Sequence, residues 1–125
     1  MPILIVLLMT CLLTSCAHIR DNTTAVNGAV ADTVTTAIGL SQYNMIETNP
    51  LGFPATILLK AISIVYLKTN PNNLTDEQIK ELDHTAGSLW LGAAANNIAI
   101  IAGASNPLGL FLGLTTGIAL YLNKE

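Results

Sequence analysis

Apolar runs broken at short polar joints set the plan of this chain. A first run begins at Ile3 and closes at Leu13-Thr14-Ser15-Cys16, and four more follow: about Ala25 to Ile46, Phe53 to Leu67, Ala86 to Ala104 and Leu108 to Leu122. Their Ala, Leu and Ile content, with Gly and Pro at the borders, predicts helices rather than strands. The second and fourth of these later runs are short for a hydrocarbon core of about 30 Å, which takes about twenty helical residues. They must thin the bilayer, borrow flanking residues or stop short as re-entrant helices.

The joints organise the runs into two hairpins. Asn49-Pro50-Leu51-Gly52 and Asn106-Pro107-Leu108-Gly109 repeat one tetrapeptide between successive apolar segments. Asn can cap the free amides of a new helix, and Pro suits its first turn while ending the helix before it. The repeat fits either a duplicated hairpin or a turn sequence that arose twice. Between the hairpins, Asn70-Pro71-Asn72-Asn73 reads as a turn and Thr75-Asp76-Glu77-Gln78 as a capping box. A helix starting near Asp76 carries Ile79 and Leu82 on one face and runs on into the third segment. Trp90 and Tyr121 suit either interfacial anchoring or ordinary packing.

The predicted fold is therefore all-α: a small membrane-embedded bundle of two helical hairpins, residues 25–68 and 76–122, within a helical membrane domain 25–125. Composition agrees, since only 10% of residues are charged and 51% are hydrophobic, against about 25% charged in soluble domains. A net charge of −3 with five basic residues offers no basic stripe for nucleic acid. The length leaves room for one compact domain.

Leu13-Thr14-Ser15-Cys16 resembles the lipobox of bacterial lipoprotein precursors, in which small residues precede the cut and an apolar segment of about 7–15 residues delivers them to the bilayer. The resemblance implies a signal peptide over residues 1–15, Cys16 as first mature residue and carrier of diacylglycerol and palmitate chains, and a linker over residues 16–24. It departs from the pattern at positions 2–10, which hold no Lys or Arg. The alternative is an uncleaved short first helix with two ordinary thiols, Cys11 and Cys16. Cleavage would leave Cys16 as the sole cysteine, excluding an internal disulfide or a thiolate metal site.

Polar residues inside the apolar runs are the candidate site, because burying an ionised group in a bilayer costs about 2.5–3.5 kcal/mol on insertion scales. Asp32, Thr36, Gly39, Tyr43 and Glu47 fall on one helical face. Lys60 lies mid-run with Ser63 nearby, and His84, Ser88, Gly92, Asn96, Ala99 and Gly103 form a small and polar stripe. Gly109, Gly113 and Gly117 space out a G-x-x-x-G packing face. Counting from the Asn-Pro joints sets Gly39, Lys60 and Asn96 at similar depth, so Lys60 is expected over Gly39, donating to Asn96. Since side chains lean toward their helix N-terminus, Glu47 is favoured over Asp32 as its ion-pair partner. The candidate polar cluster is thus Asp32, Glu47, Lys60, Asn96 and Asn97, serving as helix glue or as an ion, proton or small-ligand path.

His18 and His84 have no metal-like ligand spacing, and no hydrolase, metalloprotease or nucleotide motif occurs. No enzyme activity, cofactor or metal is implied. At Asp32-Thr33-Val34-Thr35-Thr36 and Glu47-Thr48-Asn49-Pro50 the chain also resembles small prokaryotic and phage membrane proteins of unknown function over residues 28–104. That resemblance implies an integral helical membrane fold and supplies no activity. Topology is contested: a lipidated Cys16 puts Lys68 and Lys80 outside the inner membrane, whereas the positive-inside rule puts them inside. The expected role is a non-enzymatic lipoprotein of the bacterial inner membrane, packing with itself or another membrane protein through its glycine faces. The alternatives are a small channel, holin-like pore or transporter component lined by Asp32, Lys60 and Asn96, and a phage exclusion lipoprotein.

Overall fold

The computed structural model describes residues 22–47 and 50–123. The predicted lipobox, Cys16, His18 and Asn49 lie outside the described residues. Among these there are four helices and no strand: α1 (Ala25–Gln42), α2 (Gly52–Thr69), α3 (Asp76–Ile101) and α4 (Asn106–Leu122).

Local chemistry accounts for most of the boundaries. Thr75 and Gln78 form the expected reciprocal capping box, with Thr75 N donating to Gln78 Oε1 at 2.9 Å and Gln78 N to Thr75 Oγ1 at 3.2 Å. From there α3 runs unbroken for 26 residues. Before it, Asn70 takes the left-handed conformation at the end of α2 (φ 44°) and its side chain clasps Leu74 N and O at 2.7 and 2.9 Å. Asn tolerates this region better than most residues. At α4 the expected cap is displaced by one residue. Ser105 holds the cap position, and Asn106 is already helical ahead of Pro107.

The first helix stops earlier than its apolar run suggests. Tyr43 N donates back to Gly39 O, Asn44 turns left-handed (φ 52°), and Met45 N returns to the same carbonyl. Met45 then lays its sulfur over Gly39, where a Cβ would leave it no room. Helix geometry therefore ends before Glu47, which falls in the connection and off the face that carries Asp32.

The assembly centres on α3, which α1 and α4 flank closely while α2 touches the bundle lightly. The α3/α4 pair is an antiparallel hairpin: His84 meets Leu120, Gly92 meets Gly113, and Gly109 meets Ile100. A Cβ on Gly92 or Gly113 would lie 2.7 Å from the other's carbonyl oxygen, so the two backbones nearly touch. By contrast α1 runs parallel to α3, with Ala25 N bonded to Asp83 Oδ1 at 3.1 Å, Gly28 against Gly87 and Trp90, and Asp32 opposite Asn97. The first predicted hairpin is thus connected but loosely packed, because α1 spends its close-packing face on α3.

Substituting Gly92→Ile should push α4 off α3 and lower stability by about 1–3 kcal/mol or more. Leu114→Ala, on the exposed side of α4, should change it by less than about 0.5 kcal/mol. Unfolding in detergent followed by circular dichroism compares the two.

Candidate functional site

The polar residues converge where α1, α2 and α3 come together. Lys60 Nζ meets Asp32 Oδ2 at 2.5 Å, with the two residues 5% and 8% exposed. The second oxygen, Oδ1, accepts from Asn97 Nδ2 at 3.1 Å and from Thr36 Oγ1 at 3.4 Å. Asn97 Nδ2 also approaches Thr36 Oγ1 at 2.9 Å and Thr35 Oγ1 at 3.2 Å. An amide has two N–H donors, so three acceptors share them. Thr35 in turn donates to the Ala31 carbonyl at 2.9 Å, which leaves its lone pair for Asn97.

Helical spacing explains how α1 contributes to this cluster. Residues three and four apart stack on one face, so Asp32, Thr35 and Thr36 all point at α3. Asn97 reaches them because α1 and α3 run parallel at close distance, with glycine on both sides of the crossing at Gly28 and Gly87. Lys60 closes the cluster from α2. Among the described residues, no buried side-chain nitrogen or oxygen lacks a hydrogen-bond partner.

Of the five residues expected to cluster, the structure brings together Asp32, Lys60 and Asn97 and separates the other two. The favoured Lys60–Glu47 pair does not form; Asp32 takes the lysine because Glu47 lies beyond the end of α1. Asn96 points away from Lys60, toward α4, where its side chain crowds the open faces of Gly109 and Gly113. One residue along a helix turns the side chain by about 100°, which sends Asn97 to α1 and Asn96 to α4. Asn96 there lines an apolar groove of about 520 Å³ between α3 and α4, together with Ser88, Gly92, Gly117 and Tyr121. Ser63 is exposed and bonds its own helix at Leu59 O.

Gly109, Gly113 and Gly117 all face α3. His84 Nε2 donates to Leu120 O at 2.9 Å, and its ring lies 6.5 Å from that of Tyr121, whose hydroxyl donates to Glu81. Two contributors escaped the sequence reading of the site. Thr35 was visible only as part of a Thr-rich stretch, and the capping of α1 by Asp83 joins residues 58 apart with no local signal.

The arrangement pairs a cation with an anion and gives each buried polar side-chain atom among the described residues at least one hydrogen-bond partner. It ties α1, α2 and α3 together. Comparison with protein-family models, curated protein sequences and solved structures yields no match to this chain.

Asn97→Leu should remove the amide donor that Asp32, Thr35 and Thr36 share, leaving each with its remaining bond, and cost about 1–2 kcal/mol. Ser63→Ala should stay within about 0.5 kcal/mol. Thermal unfolding in one detergent measures both.

Proposed function

We propose that this chain is a membrane-embedded helical lipoprotein with a structural or interaction role and no enzymatic one. The observation that carries the reading is the inverted placement of its side chains. Among the described residues the buried hydrophobic positions are all alanine, Ala25, Ala29, Ala94 and Ala99, while Asp32, Lys60, Ser88 and Asn97 are buried beside them. Leu58, Leu59, Ile62 and Val65 of α2 and Leu110, Phe111, Leu114 and Ile118 of α4 face outward. Water-soluble domains fill their cores with such residues; in a bilayer, lipid tails solvate them and small or polar residues mediate helix contacts.

By length and composition alone, α2 is the described helix able to cross a membrane, and α4 is apolar but shorter. That is fewer independent spans than the four expected from the apolar runs. The hydropathy of α3 is lowered chiefly by Asp76, Glu77, Gln78, Lys80 and Glu81 in its first turns, which are exposed; elsewhere Val26, Val30 and Val34 of α1 and Leu89 and Ile98 of α3 are exposed and suit lipid.

The lipid anchor at Cys16 rests on the Leu13-Thr14-Ser15-Cys16 pattern, and with it the assignment to the bacterial inner membrane. The glycine faces are occupied within the chain, so a protein partner would be met on the apolar outer faces of α2 and α4. A pore lined by Asp32, Lys60 and Asn96 has less support, because Asn96 faces away and the cluster is closed by its own hydrogen bonds.

Two readouts test the proposal. The protein should float with vesicles after alkaline carbonate washing. Its intact mass should lack residues 1–15 and carry acyl chains that disappear in Cys16→Ser. Release into the wash would refute the membrane-embedded reading, and an unmodified full-length mass would refute the lipoprotein one.

A further inference from the structure

The groove between α3 and α4 holds an amide that the fold leaves unused. Asn96 is half-buried and lines this apolar groove of about 520 Å³, its side chain lying over Gly109 and Gly113. No group among the described residues bonds that amide, whereas Asn97 beside it spends its own on Asp32, Thr35 and Thr36. Every fully buried polar side-chain atom among the described residues has a partner, so the unbonded nitrogen and oxygen of Asn96 are accessible. The other polar side chains beside it are occupied at home: Thr85 and Ser88 donate to the Glu81 and His84 carbonyls at 2.7 and 2.8 Å. In water such an amide would be hydrated. In a bilayer, hydrocarbon offers it neither donor nor acceptor, and the lost bonds disfavour leaving it open.

We infer that the amide is satisfied by a second copy of this chain, docked α3–α4 face to α3–α4 face about a two-fold axis beside Asn96. The inference deepens the interaction role proposed above and rests on its membrane reading. A two-fold interface sets one patch against itself, so a residue near the axis meets its own counterpart. An amide suits that place because it carries donors and an acceptor together. Nδ2 of each Asn96 can donate to Oδ1 of the other, giving two bonds, where a carboxylate or an ammonium would repel its copy. The surroundings also fit. Gly92, Gly113 and Gly117 keep the groove floor low, while Leu89 and Ile118 beside it are 66% and 57% exposed, ready to enter the groove of the other copy. Lipid tails would fill the same space equally well, so apolar contact alone gives no preference for a partner; the interhelical hydrogen bonds supply one.

The test uses the full chain in phosphatidylcholine vesicles. Energy transfer between copies labelled with donor and acceptor fluorophores should appear and fall as lipid is added. A photo-crosslinking residue at Leu89 should give a covalent dimer, and one at Ile62 on α2 far less. Asn96→Ala, which adds no bulk over Gly109 and Gly113, should weaken association roughly tenfold, the loss expected for two average interhelical polar bonds. Absence of energy transfer at every dilution overturns the inference and leaves the groove to lipid or to another protein. A dimer product as strong from Ile62 as from Leu89 also overturns it, as does undiminished association in Asn96→Ala. If the wild type stays out of the vesicles, the membrane reading fails by itself, and energy transfer and crosslinking in detergent micelles then judge the pairing.

Discussion

The structure depends on keeping charge and polarity inside a chain whose bulk hydrophobic surface points out. Lys60 and Asp32 satisfy each other at the meeting point of three helices, and Asn97, Thr35 and Thr36 complete the carboxylate's hydrogen bonds. Leaving either charge without its partner is strongly unfavourable in a low-dielectric setting, about 3–5 kcal/mol in buried pairs of soluble proteins. That constraint fixes the rotation of α1, because Asp32 must face inward, and that of α2, because Lys60 must meet it.

Small residues make the polar interior possible. Gly28 and Gly87 bring α1 against α3, and Gly92 and Gly113 bring α3 against α4, each at distances a methyl group would prevent. Close backbones allow side chains as short as Asp, Thr and Asn to bridge helices directly. Long apolar side chains are thereby displaced to the outside, where the proposed bilayer receives them. On the proposed membrane reading, the helices are held by close contact and hydrogen bonds in the interior, and apolar burial falls to the lipid.

Much of this was legible in the sequence, and the failures have identifiable causes. The capping box at Thr75, the turn at Asn70 and the helical spacing of Asp32 and Thr36 are encoded by neighbours within a few residues. The partner of Lys60 was not, because it depends on where α1 ends. That end is set by Met45 folding back over Gly39, a contact that apolar periodicity does not register. Asn96 and Asn97 are adjacent, so a depth count cannot separate them; the rotation of α3 does, and it follows from packing against two helices at once. The parallel docking of α1 on α3, tied by Ala25 and Asp83, likewise joins residues distant in the chain. Hairpin logic pairs each helix with its successor, and here α1 passes over α2 for the glycine face of α3.

The most direct test of the inverted architecture is paramagnetic broadening of backbone NMR signals in lipid nanodiscs, comparing a probe carried in the acyl chains with one dissolved in water. Leu58, Leu59, Ile62, Val65, Leu110 and Phe111 should be broadened by the lipid-borne probe and spared by the aqueous one, with Asp32 and Asn97 spared by both. Broadening of the outer residues by the aqueous probe, with the lipid-borne probe silent, would contradict it.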